Sequence, residues 1–225
     1  QTTRDKILAV VHREDSQLIF IDTPGVHKTT EPMNVKMVDV ALTAISDVDL
    51  VLLMVDISSP DTGSEELLVE KLQRTKKPVI LALNKTDLKK KGLVEHEIEK
   101  WEQIYDFKKI IPVSAKHGTG VEELLRILEL AVPEGPQLFP DDMLTDVSER
   151  FIVAEMIREK AFRLTGQEIP YSIAVTIDTF KAKKSLVTIE ATIHVERDSQ
   201  KGIIIGKGGA KLKAIGEDAR ADIER

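Results

Sequence analysis

Several short stretches hold residue types that could act on a nucleotide. IDTPG, residues 21–25, closes the apolar run QLIFIDTPG. An aspartate at a strand end can face a bound metal, and a glycine three residues on lets its amide approach a phosphate, as in phosphate-hydrolysing switches. Alone, Asp22-Thr23-Pro24-Gly25 is more often an ordinary turn, since all four residue types favour turns. NKTD, residues 84–87, follows the apolar VILAL. Asp87 offers two acceptors to the ring N1–H and exocyclic amine of guanine, a pattern adenine cannot return. Asn84 would fix the base edge, and Lys85 would lay its methylene stem along ring and sugar, with Thr86 between them and Asp87. The competing meaning is a helix cap behind a strand.

SAK, residues 114–116, follows IIPV. The Ala115 amide is suited to the guanine carbonyl, with Ser114 before it and Lys116 packed near the base, although a lone tripeptide of this kind is usually just a loop. QTTRD at residues 1–5 supplies Thr2 and Thr3. Either is a candidate to hold magnesium and sense a third phosphate from a loop ahead of the first strands. A phosphate cradle of the form GxxxxGK followed by Ser or Thr is not found in the sequence, and is expected upstream of Gln1. GIIIGKG from Gly202 has the wrong spacing and no hydroxyl after the lysine.

That glycine-rich stretch suggests other chemistry. Gly206-Lys207-Gly208-Gly209 forms a GXXG turn that can bring its backbone against single-stranded RNA, with Ile203 to Ile205 lining an apolar groove. Between Arg197 and Lys213 five cations (Arg197, Lys201, Lys207, Lys211, Lys213) face one anion, Asp198. The alternative is a plain helix-helix turn. Aromatic residues make up only 4% of the chain, so stacking of bases on an aromatic sheet is not the expected mode.

The elements that must position these residues follow from the apolar pattern. Ile7–His12 and Gln17–Asp22 read as two strands around the polar turn Arg13–Ser16. Leu50–Val55, Val79–Leu83 and Ile110–Val113 read as strands, and Met33–Ile45, Ser64–Arg74, Leu93–Tyr105 and Val121–Val132 as amphipathic helices. Strands apolar on both faces and separated by helices predict a mostly parallel sheet covered on both sides. DTPG, NKTD and SAK would then leave successive strands of one parallel sheet at the carboxyl edge where ligands gather. Order and edge together turn three weak signals into one strong one.

VPEGPQLFPDD, residues 132–142, cannot continue a helix and predicts a linker. Beyond it Ser148 can cap a helix over Glu149–Leu164, with Phe151, Ala154, Ile157, Ala161 and Leu164 in one stripe. Two strands with one wet face each follow, the first burying Tyr171, Ile173, Val175 and Ile177, the second Val187, Ile189, Ala191, Ile193 and Val195. The order there is α-β-β-α-turn-α.

At 225 residues, with 42% hydrophobic and 31% charged residues, the chain suits one large or two small globular domains. No apolar run approaches the roughly 18 residues that span a bilayer. A net charge of -6 argues against binding nucleic acid over the whole surface. With no cysteine, thiolate metal sites and disulfides are excluded. His27, His96 and Trp101 have no partners at metal spacing, and Lys89-Lys90-Lys91 reads as a solvated loop.

QTTRD, DTPGVH, NKTD, SAK, LFPDDMLTDVSERF, AEMIREK and GIIIGKGGAKLKAIG together resemble the Era family of GTPases over nearly all of the chain. The resemblance implies a P-loop NTPase-like α/β G domain over residues 1–132, a linker over 133–145 and an α+β type II KH domain over 146–225. Its final KH strand is expected beyond Arg225. The function implied is a GTP-hydrolysing switch that binds 16S ribosomal RNA near its 3′ end during small-subunit assembly. The cofactors implied are GTP or GDP and Mg2+. Asp22 and Thr2 or Thr3 would serve the metal, and Gly25 the third phosphate. Thr23, Pro24, Val26, Asn84, Lys85, Thr86, Asp87, Ser114, Ala115 and Lys116 would line the nucleotide. Ile205, Gly206, Lys207, Gly208, Gly209, Lys211 and Lys213 would hold RNA. Val26 stands where Ras-like proteins carry a water-orienting glutamine, so slow turnover aided by RNA, a ribosome or a monovalent cation is expected. The family picture adds a cytoplasmic monomer with peripheral contact at the inner membrane. Two rivals share these motifs: a non-catalytic RNA-binding adaptor with a degenerate G domain, and a related GTPase serving RNA modification.

Overall fold

A computed structural model describes residues 7–23, 43–166, 173–184 and 186–225. It contains two compact units, one ending at Asp146 and the other running over Val147–Arg225. Among the described residues no helix is long and apolar enough to cross a membrane.

In the first unit β1 (Ile7–His12) and β2 (Gln17–Asp22) form an antiparallel hairpin in the register Ile7↔Asp22 to His12↔Gln17. Its turn is closed by Arg13 N–H donating to the Ser16 carbonyl at 2.9 Å. β3 (Val51–Asp56), β4 (Val79–Asn84) and β5 (Lys109–Pro112) make a parallel sheet in the order β3-β4-β5. The central strand alternates between two cores. Val79, Leu81 and Leu83 join Leu53, Val55, Val69, Leu72 and Trp101 on one side, while Ile80 and Ala82 join Ile111, Leu124 and Leu128 on the other. Both sides being apolar is why VILAL is uninterrupted. Trp101 is a core residue, 1% exposed.

The helices are α1 (Thr62–Leu72), α2 (Lys91–Ile104) and α3 (Val121–Glu129). α1 begins earlier than its apolar pattern because Asp61 caps it, accepting from the Ser64 amide at 3.2 Å and hydroxyl at 2.6 Å. Lys91, expected in a solvated loop, opens α2, with Lys90 as its extended N-cap. The helix expected over Met33–Ile45 falls mostly outside the described residues; Thr43 and Ala44 are helical, and Ile45–Asp47 form a 3-10 turn.

One expectation for this unit needs correction. β2 does not hydrogen-bond into the parallel sheet among the described residues: a cavity of about 1970 Å³ opens between the two, lined by Leu18 and Phe20 of β2, Leu50 beside β3, and Leu52 and Met54 within it. Leu18 of β2 still packs into the core with Ile80, Ala82 and Ile111, so the hairpin meets the sheet through side chains and not through backbone pairing. The later part of the stretch expected as a linker is docked along β1. Val10 N–H donates to the Leu144 carbonyl at 2.8 Å, Thr145 Oγ1 to the Leu8 carbonyl at 2.6 Å, and Leu8 N–H to Asp146 Oδ1 at 3.2 Å. Pro136 and Pro140 stop a helix there but leave neighbouring amides able to pair with a strand edge.

The second unit opens with α4 (Glu149–Thr165), capped as expected by Ser148 Oγ, which accepts from the Phe151 amide at 3.3 Å. β6 (Ile173–Lys183) and β7 (Leu186–Val195) are antiparallel, followed by α5 (Asp198–Ile205), a 3-10 turn over Lys207–Gly209, and α6 (Ala210–Ile223). Ala161, Ile173, Ile204 and Ile215 form the core, flanked by Ile157, Leu164, Val175, Ile193 and Val195. The inward face of β7 is shorter than its sequence alternation, since Val187 and Ala191 are exposed. A bulge between Ile177 and Thr179 breaks the alternation of β6, so that Phe180 pairs with Ile189. Tyr171 lies outside the described residues. α4 buries more than its apolar stripe, including Arg158 and Lys160. Both are ion-paired, Arg158 with Glu155 and Lys160 with Asp222 of α6, which makes their burial tolerable.

Candidate functional site

The parallel register sets Asp56 directly opposite Asn84, so the carboxyl ends of β3 and β4 are level, and β5 ends beside them with Leu83 opposite Pro112. From Asn84 the chain turns sharply: Lys85 has φ 65°, the only positive value at a non-glycine residue among the described residues. Asn84 makes the turn possible, because its Oδ1 accepts from its neighbour's Lys85 N–H at 2.8 Å. The same oxygen accepts from Ala115 N–H at 3.0 Å. One side chain thus splices the NKTD and SAK loops together, while its amide nitrogen faces Met54 Sδ at 3.6 Å. Asn84 was expected to meet the base edge and the Ala115 amide the base carbonyl; here they bind each other.

Two further bonds fasten the loops. Thr86 Oγ1 donates to the Val113 carbonyl at 2.9 Å, and Ser114 Oγ donates to Asp87 Oδ1 at 2.6 Å. Ser114 is 1% exposed, so its hydroxyl is a fixed donor. That bond, the Asp87 backbone amide, and the positive charge of Lys116 and of a protonated His117 hold the Asp87 carboxyl below its usual range, outweighing partial desolvation. An ionised aspartate with one oxygen anchored keeps the other as an acceptor, at 3.7 Å from His117 Nε2. This suits a ligand edge carrying two adjacent N–H donors, as guanine has.

Behind the SAK loop, Ser114 N–H donates to the Thr119 carbonyl at 2.9 Å, and Gly120 follows with φ 74°. A Cβ on Gly120 would lie 2.4 Å from the Pro112 carbonyl oxygen, so only glycine fits. Gly120 shapes the turn behind the SAK loop, and only its place after SAK in the sequence points to it. Lys85 Nζ lies 2.5 Å from Asp56 Oδ2, a partner that carries no motif.

Of the remaining expected site residues, Asp22 ends β2 in an exposed position and Thr23 follows it. Thr2, Thr3, Pro24, Gly25 and Val26 lie outside the described residues. Among the described residues no three His, Asp or Glu side chains gather as a metal-holding group.

In the second unit Gly206, Gly208 and Gly209 all have positive φ, 73°, 63° and 80°. A Cβ on Gly206 would sit 2.7 Å from Lys211 Cβ and 3.0 Å from its amide nitrogen, whereas Gly208 and Gly209 face open space. The turn thus presents bare backbone, flanked by Lys207 and Lys211. The apolar groove is narrower than expected. Ile204 is 4% exposed within the core and Ile203 packs on it, leaving Ile205, 45% exposed, beside the turn. Lys201 is paired with Asp198 at 2.9 Å and Lys213 with Glu217 at 3.6 Å, which trims the local positive charge.

Comparison with known proteins agrees with both halves. The family model described as "KH domain" matches residues 168–225, and that described as "50S ribosome-binding GTPase" matches residues 1–85. The chain is 49% identical to GTPase Era of Geobacter metallireducens over 227 residues, covering 100% of this chain and 76% of that protein. It is 50% identical to GTPase Era of Geobacter sp. strain M21, with the same coverage. Among solved structures, Era in complex with MgGDPNP and nucleotides 1506–1542 of 16S ribosomal RNA superposes with a TM-score of 0.91 at 35% identity, over 99% of this chain and 77% of that one. A point variant of Aquifex aeolicus Era bound to GDP.AlF4- matches with the same TM-score, identity and coverage. With two loops joined at the carboxyl edge of a parallel sheet, a glycine-rich KH turn, and this likeness over the whole length, the chain belongs to the Era family of GTPases.

Proposed function

We propose that this protein is a Mg2+-dependent guanine-nucleotide switch whose KH unit grips the 3′ region of 16S ribosomal RNA during small-subunit assembly. The observation that carries the reading is the pair of bonds from Ser114 to Asp87 and from Ala115 to Asn84, which presents an ionised carboxylate where the two loops meet. Asp87 would accept from guanine N1–H and the exocyclic amine, and the Lys85 stem would lie against the purine. Asp22, with Thr2 or Thr3, would hold magnesium, which supplies charge neutralisation at the phosphates. The Gly25 amide would meet the third phosphate. Val26 has no group to orient a water, so hydrolysis is expected to be slow and to need RNA, a ribosome or a monovalent cation.

RNA would run over Gly206–Gly209, with Lys207 and Lys211 on its phosphates and Ile205 under a base. The Era relative solved with 16S nucleotides 1506–1542 favours that RNA over transfer RNA. Cytoplasmic residence as a monomer, with peripheral inner-membrane contact, belongs to the same proposal on family resemblance. The test is calorimetric titration of the protein from its full reading frame with GDP and GTP, with and without a short RNA of the 16S 3′ end. Binding of both nucleotides, and turnover raised by the RNA, is the expected result. Absence of heat with either nucleotide would favour the adaptor reading, and predominant capture of transfer RNA in cells the RNA-modification reading.

A further inference from the structure

β3 ends without a motif, yet its last residue reaches the nucleotide-selecting loops. Asp56 Oδ1 accepts from the Ser58 amide at 2.9 Å and the Ser58 hydroxyl at 2.6 Å, so the carboxylate is locked by its own turn. Its other oxygen, Oδ2, takes Lys85 Nζ at 2.5 Å. Partial burial pushes the Asp56 carboxyl up, but the bonds from Lys85 and Ser58 outweigh this and hold it below the usual range.

Lys85 is therefore held at both ends. Its backbone is fixed in a left-handed turn by Asn84, and its ammonium by a carboxylate on the neighbouring strand. A lysine is a flexible stem with a strongly hydrated tip. Half-exposed and unheld, it would sample many rotamers, and ordering it on ligand binding would cost conformational entropy. With the tip moored at the sheet edge, the stem is laid out in advance as an apolar shelf. We infer that Asp56, with Ser58 behind it, is a positioning residue that orients Lys85 for the purine. The inference rests on the guanine-nucleotide reading above and extends that site onto β3.

A surface ion pair often contributes little, so the test must separate positioning from a bystander role. The full-length protein would be titrated with GDP as wild type, Asp56→Asn, Lys85→Met and the double variant, with thermal midpoints measured without nucleotide. Asp56→Asn is expected to weaken GDP about fivefold, the upper end for a partly exposed pair. In the Lys85→Met background the same change should cost less than about twofold, because nothing remains to be positioned. A merely structural aspartate would give equal losses in both backgrounds. Equal losses, no loss in the wild-type background, or tighter GDP binding by Asp56→Asn would each overturn the inference while leaving the nucleotide site intact. A wild type that binds no GDP would instead overturn the site itself, and the inference with it. Should Asp56→Asn fail to fold, Ser58→Ala takes its place in the same cycle. A loss in the same direction, absent in the Lys85→Met background, is then expected, and equal or no loss in the two backgrounds overturns it.

Discussion

Replacing Asp87 by asparagine would exchange one acceptor for an amide donor. Which end turns outward is set by Ser114, whose hydroxyl donates to Oδ1 at 2.6 Å and would keep the amide oxygen on its own side. The outward nitrogen then meets the guanine amine donor to donor, but suits xanthine, which has a carbonyl there. We expect Asp87→Asn to shift the GTP to XTP affinity ratio by at least about tenfold toward XTP, one strong hydrogen bond's worth. A competition assay with an unchanged ratio would remove Asp87 from base selection. In the wild type the Asp87 carboxyl lies below its usual range, chiefly through the Ser114 bond. The Asp87 contribution to guanine affinity should therefore be constant from about pH 4 to neutrality and be lost only as pH falls through that lowered value. Asp87, Ser114 and Asn84 are legible from their types and spacing. Asp56 is not, because its role depends on standing opposite Asn84, and register is a property of the paired strands. The mutual bond between Asn84 and Ala115 is likewise not legible, because it depends on the loops after β4 and β5 lying side by side.

The docked segment after Pro136 shows what composition misses at the scale of an element. Prolines and a glycine rightly exclude a helix, but the side chain that captures the segment, Gln17, lies over a hundred residues away. Its Oε1 accepts from Leu138 N–H at 3.0 Å and Phe139 N–H at 3.2 Å, and its Nε2 donates to the Phe139 carbonyl at 2.6 Å. The same amide nitrogen faces His12 Nδ1 at 3.2 Å, while His12 Nε2 lies 2.8 Å from the Met143 carbonyl. Gln17→Leu keeps the volume and removes the side-chain bonds to Leu138, Phe139 and His12. It should destabilise the first unit by about 1–3 kcal/mol, the cost of part-buried polar groups left unmet, and speed proteolysis between Gln137 and Asp146. Unchanged cleavage and denaturant midpoint would show that the segment is held elsewhere. The glycine turn raises a different issue, since any side chain at Gly206 collides with Lys211. Loss of RNA binding in a Gly206 variant would confuse a broken turn with a lost contact. Lys207→Ala with Lys211→Ala leaves the turn alone. If both ammonium groups meet phosphates, the pair should lower the slope of log affinity against log salt by about 1.4 for single-stranded RNA. An unchanged slope would move the RNA path off this face.

For the molecule as a whole, the acid limit of stability should differ between the units because their ion pairs do. In the second unit Asp222 holds Lys160, which is only 8% exposed, across α4 and α6. The bond from Lys160 keeps the Asp222 carboxyl low, and the bond from Asp222 keeps the Lys160 ammonium high. A lowered carboxyl stabilises the fold above its unfolded value of about 4 and loses that contribution as pH falls through the folded value. A raised ammonium contributes below about pH 10.4 and loses its contribution only as pH rises through the higher folded value. The pair is thus fully formed at neutral pH and fails first on the acid side. Asp222→Asn leaves a largely buried lysine without its carboxylate, so the second unit should melt a few degrees lower at pH 7. Between about pH 5 and pH 3 its midpoint should also fall less steeply than the wild type's, since the titrating partner has gone. The single tryptophan, Trp101, sits in the core of the first unit and gives it a private signal. Tryptophan fluorescence should then report the same midpoint in wild type and Asp222→Asn, while amide resonances of α4 and α6 report the lower one. Equal displacement of both signals would mean that the Lys160–Asp222 pair supports the whole chain and not its own unit alone.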